Sequence, residues 1–578
     1  MKCSKLVSFI CASFLLVGCN SGTANVETTT AEEKKGVVPG TYYGVGEGRN
    51  GKIVVEVTVG ESSIEKISVL SEEETYNTGT VVVETYPQLM VDNQTTNVDN
   101  VSGATISSMA FKTAVRDALT QAGVSDDAYK DSVSTTLSAE DTEADVVVIG
   151  AGGAGMTAAI NAAENGSKVI LVEKLDIVGG TSNYSIEGFG AVGDKTHAGL
   201  GSDATSETVA ESLTKSNPNG KAEAYEILAS HNGEAADWLR SIGAELAVAG
   251  GQTSVASSRE VGELGVTIVS ALKAECNKQG VDVRTGTKAE EILTEDGKVT
   301  GVKVSNDSGE YTISCKSVVI ATGGFGSNSE MVAKYQETLK GYDHSCSVGN
   351  TGDGQEMAEK LGASLENMDY VRVNFTYTTN DKGYYYYMGS LFNTGAIFVN
   401  NDGQRFVNDQ GAYGVGMKVV EQGGEGWAIF DSSIVNGVAD VRHYEKLGLF
   451  VEADSIEELA EKIGISKENL AATIEKYKEY VANGKDEEFN RGMLNMTFDE
   501  APYYACKMSA RVQGTFGGIA TNTDTAVVDS EGNVVVAGLY AAGECASVGV
   551  YGANPAATNI VFGKIAGSNA ATFATENK

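Results

Sequence analysis

The sequence predicts an α/β protein, and three observations in one stretch predict it. Val146-Val147-Val148-Ile149 is an uninterrupted apolar run, as in a buried parallel strand. Glycines follow at Gly150, Gly152 and Gly155 and open a helix through Met156–Ile160 that stops near Asn165-Gly166. A second apolar strand, Lys168–Val172, closes on an acid, Glu173. Together they form a Rossmann-like βαβ unit. The first glycine permits the tight turn, the second lets the backbone approach a pyrophosphate, and the third lets the helix pack close to the strand. The helix start, with Gly153 and Ala154, offers free N–H groups and a positive dipole end to phosphate. Glu173 sits where a ribose hydroxyl is held, which favours FAD or NAD over NADP.

The bulk numbers agree with a glycine-turn-rich enzyme. The chain has 578 residues, enough for several domains, with 69 glycines and only 5 prolines. A formal net charge of −35 argues against nucleic acid as a partner and against basic-patch docking on anionic headgroups. The eight cysteines form no CxxC pair and the four histidines no metal-ligand spacing, so neither an iron–sulfur cluster nor a metal site is expected.

In chain order, Lys2 and Lys5 precede a short apolar segment, Leu6–Val17, that ends at Leu16-Val17-Gly18-Cys19. This resembles a bacterial lipoprotein signal. The resemblance implies cleavage before Cys19 and lipid anchoring there, on the outer face of the cell membrane. Residues 19–38 are polar and read as a tether. Residues 39–124 read as a small α+β domain. Ile53, Val55, Val57 and Val59 alternate as in a half-buried strand, Ile64–Val69 suggests a second strand, and a helix is expected from about Ser107 to Ala122. Ahead of that helix stands Asp99-Asn100-Val101-Ser102-Gly103-Ala104-Thr105. It resembles the motif of FMN-binding domains in which a flavin transferase joins FMN to the last threonine through a phosphoester. The resemblance makes Thr105 the covalent FMN acceptor. Residues 125–143 are acidic and polar, a linker.

The remainder resembles the flavoprotein subunits of fumarate reductases, a family that includes urocanate reductase and the 3-ketosteroid dehydrogenases. The likeness rests on Gly179-Gly180-Thr181-Ser182, Val318–Gly326, Thr351-Gly352-Asp353-Gly354 and Gly538–Glu544, and covers nearly all of 144–578. It implies non-covalent FAD. It implies an FAD-binding domain in two parts, 144–370 and 512–578, with an inserted α+β capping domain at 371–511. It places Lys174, Gly180, Thr181, Ser182, Thr322, Gly323, Gly324, Asp353, Gly543, Glu544, Asn559 and Ile560 at the cofactor, beside Gly150–Gly155 and Glu173. The implied chemistry is hydride transfer to an activated C=C bond, with protonation of the adjacent carbon by an acid.

The departures from fumarate reductase bear on the substrate. The family's carboxylate-binding histidine is here Asn374, its Thr-Glu pair and arginine are replaced around Met388, Gly389 and Phe392, and its histidine pair is Gln513-Gly514. Its proton-donating arginine falls at Tyr413 and its second substrate arginine at Pro555. Each charged hydrogen bond to a carboxylate contributes roughly 1.5–3 kcal/mol, so losing several makes fumarate a poor substrate. Phe375, Tyr377, Tyr384–Tyr387, Met388, Phe392 and Phe398 suggest an aromatic cleft for a larger enoate or enone, such as an aryl acrylate or a steroid-like ketone. Arg372 is the remaining cation and can hold a monocarboxylate. Tyr413 or Tyr551 is the candidate acid. The favoured reading is a respiratory reductase taking electrons from a membrane donor through FMN to FAD to an alkene. The alternatives are fumarate or urocanate reduction, a ketosteroid-type dehydrogenase, and a non-catalytic flavin relay.

Overall fold

A computed structural model describes residues 37–75, 77–125, 128–130, 138–185, 188–194, 204–217, 220–249, 254–257, 264–410, 415–550 and 555–577. Residues 1–18, read as a signal, and Cys19, Tyr413 and Tyr551 lie outside the described residues.

Among the described residues, three separate apolar cores organise the chain. The first belongs to the N-terminal domain. Three antiparallel strands, Gly40–Glu47, Lys52–Val59 and Ile64–Ser71, lie against helices Gly79–Asn93 and Thr105–Gln121. The alternation at Ile53, Val55, Val57 and Val59 buries all four side chains. The helix Gly79–Asn93 has no counterpart in the sequence reading. Its Thr-Val-Val-Val run resembles strand composition, and burial of Val82, Tyr86 and Met90 overrides that local preference.

The second core surrounds a sheet of five strands, all parallel. Their spatial order is Asp282–Arg284, Val169–Val172, Val146–Ile149, Ser317–Ile320 and Leu539–Ala541. The strand order reverses beside Val146–Ile149, and a crevice at the carboxyl ends of the strands is where such sheets hold ligands. The helix Gly153–Glu164 begins and ends where the sequence predicts, with Gly166 in the left-handed region at φ +83°. Gly150 takes φ +101°, and a Cβ on Gly155 would stand 1.8 Å from the Gly150 carbonyl oxygen. The turn and the close helix–strand approach therefore each require glycine. The C-terminal helix Pro555–Glu576 packs along Gly153–Glu164.

The third core fills the cap. Its antiparallel sheet runs Tyr385–Tyr387, Val371–Thr379, Tyr503–Thr515, Glu425–Asp431 and Ile397–Val399, with Val451–Ala453 also paired to Tyr503–Thr515. The strand Tyr503–Thr515 is continuous, so the chain passes from cap to FAD-binding part without a linker. Phe325, Met331, Val332 and Leu339 join this core although they precede residue 371. Under it lies a buried ion network. Asp409 accepts from Arg405 at 3.0 Å and Arg491 at 2.8 Å, and Arg405 also reaches Asp486 at 2.9 Å. Two guanidiniums against two carboxylates leave no net charge in the interior.

Candidate active site

One long cleft crosses the carboxyl ends of the parallel strands and runs under the cap. At one end, Glu173 is buried at the tip of its strand, and its carboxylate accepts N–H bonds from Ala151 and Leu175, each 2.9 Å. Burial raises its pKa and these bonds oppose the rise. Lys174 pairs with Asp353 at 2.8 Å and also hydrogen-bonds Thr351. Burial works against Asp353, yet the Lys174 bond and charge hold its carboxyl below the usual range.

In the middle, Gly152 and Gly180 leave the wall bare. A Cβ on Gly180 would meet nothing within 4 Å, and one on Gly152 only the Gly179 carbonyl oxygen at 3.8 Å. Both glycines line the cleft, Gly152 as the N-cap of the helix Gly153–Glu164 and Gly180 in the neighbouring turn, whose Gly179 bridges to Gly152. Ser182 accepts the Gly153 N–H at 3.1 Å, and Thr181 accepts the Ser347 N–H at 3.0 Å, which fixes the second glycine loop. A bare backbone wall at a helix N-terminus, with an acid beyond it, fits a dinucleotide pyrophosphate and its ribose. Gly153, Ala154, Thr322, Gly323, Gly543, Asn559 and Ile560 also line this cleft. Gly155 and Gly324 lie behind the wall, packed on Gly150 and on Thr515 with Glu544.

At the far end Glu544 accepts from the Thr515 N–H at 2.8 Å and from Asn350 at 3.2 Å. Burial raises its pKa, while those bonds and the Arg372 charge pull it down. Arg372 stands on the strand Val371–Thr379 opposite Gly514, with its guanidinium 5.9 Å from the Phe516 ring centre. Lys174, Lys288 and Arg372 are the cations on the cleft wall among the described residues. Lys174 pairs with Asp353 and Lys288 with Glu290, both toward the Glu173 end. Arg372 is therefore the cation at the Glu544 end of the cleft among the described residues. Pro555, where the family's second arginine is expected, also lines the cleft.

The expectation of a broadly aromatic cleft is corrected. Phe375, Phe392 and Phe398 are at most 2 % exposed and pack on one another, Phe375 stacked on Phe398 at 4.5 Å and edge-to-face with Phe392 at 5.2 Å. With Met388 they fill the cap core, because residues on the sheet's inner face pack there. Tyr377, Tyr385 and Tyr387 form their own edge-to-face cluster. Among the described residues, the aromatic rings on the cleft wall are Tyr184 and Phe516. Asn374 is fully buried. It accepts from the Thr376 N–H and hydroxyl at 2.9 and 2.8 Å and reaches Gln513 at 3.4 Å. Gln513, on the wall, also meets the Tyr377 hydroxyl at 3.4 Å. Sequence reasoning noted Gln513 as a missing histidine and overlooked it as a lining residue. Its place on the wall follows from the pairing of its neighbour Gly514 with Arg372, which no local sequence signal announces.

Thr105 is exposed and is the first residue of the helix Thr105–Gln121. Ala104 before it supplies no side-chain cap, so the first N–H groups are open to an anion, which fits a phosphoester at this position.

Comparison with known proteins agrees with the geometry. A model of the FAD-binding domain matches residues 145–561, and one of the FMN-binding domain matches residues 48–120. The chain belongs to this FAD-binding family. It is 35% identical to urocanate reductase of Eggerthella lenta over 92% of both chains. It is 29% identical to the NADH:acrylate oxidoreductase of Vibrio harveyi, covering 92% of this chain and 61% of that one. The open conformation of a flavocytochrome c3 fumarate reductase superposes with a TM-score of 0.65 at 33% identity, over 75% of this chain and 79% of that one. The protein is thus an FAD-dependent oxidoreductase carrying an FMN-binding domain, and the relatives named here are C=C reductases.

Proposed function

We propose that this flavoprotein reduces the C=C bond of an aryl- or heteroaryl-substituted monocarboxylate enoate rather than fumarate. The observation that carries the reading is the single cation, Arg372, at the substrate end of the cleft among the described residues, with Pro555 on the wall where a second arginine is expected. A planar guanidinium takes one carboxylate in bidentate fashion. Tyr184, on the cleft wall, offers an aromatic ring to the substrate's aryl group, while Phe516 stands beside Arg372. The relative named for urocanate, a heteroaryl enoate with one carboxylate, accords with this reading.

When bound, FAD supplies a hydride to the β carbon, and FMN on Thr105 supplies electrons from a membrane donor. The chain's own residues do the rest. Glu173 and the Gly150–Gly155 turn hold the dinucleotide. Arg372 orients the carboxylate and stabilises negative charge as it develops on the enolate oxygens. Tyr413 or Tyr551 donates the proton to the α carbon. The cap excludes water from the reacting atoms. Lipid anchoring at Cys19 places the enzyme outside the cell membrane, where a flavin transferase modifies Thr105. The test is reduction of an alkene panel by the mature, flavinylated protein. Turnover of cinnamates or urocanate with little or none of fumarate supports the reading. Efficient fumarate turnover, or turnover of steroid enones alone, overturns it.

A further inference from the structure

The FMN-binding domain touches both halves of the large unit. Its acceptor turn meets the FAD-binding part, where the Ser102 N–H donates to Asp176 at 2.7 Å and Gly103 faces Ile177. Asp176 and Ile177 belong to the same turn that lines the cleft through Lys174, Leu175, Gly179 and Gly180. Asn77 reaches the Ser270 hydroxyl at 3.2 Å on the helix Leu264–Lys278.

The third contact goes to the cap. Arg49 Nη2 donates to the Tyr385 carbonyl oxygen at 2.9 Å, and its guanidinium stands 5.3 Å from the Tyr385 ring centre. The Tyr386 hydroxyl donates back to the Arg49 carbonyl oxygen at 3.4 Å. The same Tyr385 ring meets Arg511 of the cap strand at 4.5 Å. Arg511 is fixed by the His344 carbonyl oxygen and the Thr379 hydroxyl, each at 3.1 Å. Tyr385 is thus held by one guanidinium from each domain, and each cation–π contact is favourable.

Arg49 is also tied to the acceptor helix. Its backbone N–H donates to Glu74 Oε1 at 3.0 Å, and the other Glu74 oxygen accepts from the Ser107 hydroxyl. Ser107 lies in the first turn after Thr105. A continuous set of contacts therefore runs from the cap at Tyr385, through Arg49, Glu74 and Ser107, to the acceptor turn.

We propose that Arg49 is a positioning residue that latches the FMN-binding domain onto the Tyr385 segment of the cap, so that the cap and the Thr105 turn are held in one arrangement. Polar contacts between domains of one chain ordinarily permit relative motion, so removing the charged one releases the pair. Only the meaning of the latch for electron delivery rests on the proposed function. The contacts themselves require no flavin.

The test is hydrogen exchange of the full-length protein. In Arg49→Ala, amides of Tyr385–Met388 should exchange at least tenfold faster, those of the acceptor turn 100–105 should also speed up, and the melting temperature should stay near that of the parent. Arg49→Lys, which keeps charge without the planar fork, should recover part of the protection. Tyr386→Phe, which removes the bond from the cap side, should raise exchange at the same segments and serves if Arg49→Ala does not fold. Unchanged exchange at 385–388 in Arg49→Ala or in Tyr386→Phe overturns the latch, as does an equal rise in the surface control Lys52→Ala. Failure of the Thr105 reading shows separately, as an intact mass lacking FMN.

Discussion

At Arg372 the cleft offers one guanidinium where a dicarboxylate calls for two. A charge-assisted hydrogen bond of roughly 1.5–3 kcal/mol corresponds to about a 10- to 150-fold change in rate. Arg372→Ala is therefore expected to lower kcat/KM for the carboxylate substrate on the order of 10–100-fold while FAD content stays unchanged, as read by steady-state kinetics and the flavin absorbance. Arg372→Lys is expected to recover only a small part, because an ammonium cannot match both carboxylate oxygens at once. The neighbouring neutral groups have a different job. Asn374 spends its amide on Thr376 and Gln513, and Gln513 in turn meets Tyr377. Asn374 and Gln513 thus form an uncharged, internally bonded pair. It adds no charge for a second carboxylate.

The βαβ turn depends on close approach more than on any side chain. Gly155→Ala places a methyl carbon 1.8 Å from the Gly150 carbonyl oxygen, which only movement of helix or strand can relieve. The expected outcome is loss of FAD, measured as flavin released on gel filtration, together with a melting temperature several degrees lower. The Lys174–Asp353 pair gives a pH signature of the opposite wall. Because the Asp353 pKa is lower folded than unfolded, its stabilisation is present above the unfolded value, near ~3.9, and is lost as pH falls through the folded one. Relative to the parent, Asp353→Asn should be less stable near neutral pH, with the difference shrinking below about pH 4. Melting temperatures measured from pH 6 to 3 check this, and a difference that grows on acidification contradicts it. Much at this scale was legible in the sequence. The apolar runs, the glycine spacing and the terminal acid are local, and local geometry follows from them. The fate of the aromatics was not legible. Phe375 and Tyr377 sit on one strand, yet one stacks into the cap core and the other joins the tyrosine cluster near Arg511, a choice made by partners far along the chain.

Among the described residues, three cores give an FMN-binding domain, a dinucleotide sheet and a cap, joined by a strand without a break and by the contacts of Arg49. The order of these units was legible from motif positions. The membership of Phe325–Leu339 in the cap core was not, because it depends on tertiary packing and carries no sequence punctuation. The central claim is that the cleft reads one carboxylate through Arg372. The most direct measurement is the rate at which each alkene reoxidises the dithionite-reduced, fully flavinylated protein, with a cinnamate-type acid, its methyl ester and fumarate compared in parent and Arg372→Ala. The predicted result is a preference for the acid over both the ester and fumarate in the parent, and loss of the acid–ester preference in the variant. Equal rates for acid and ester in the parent, or fumarate reacting as fast as the acid, would contradict it.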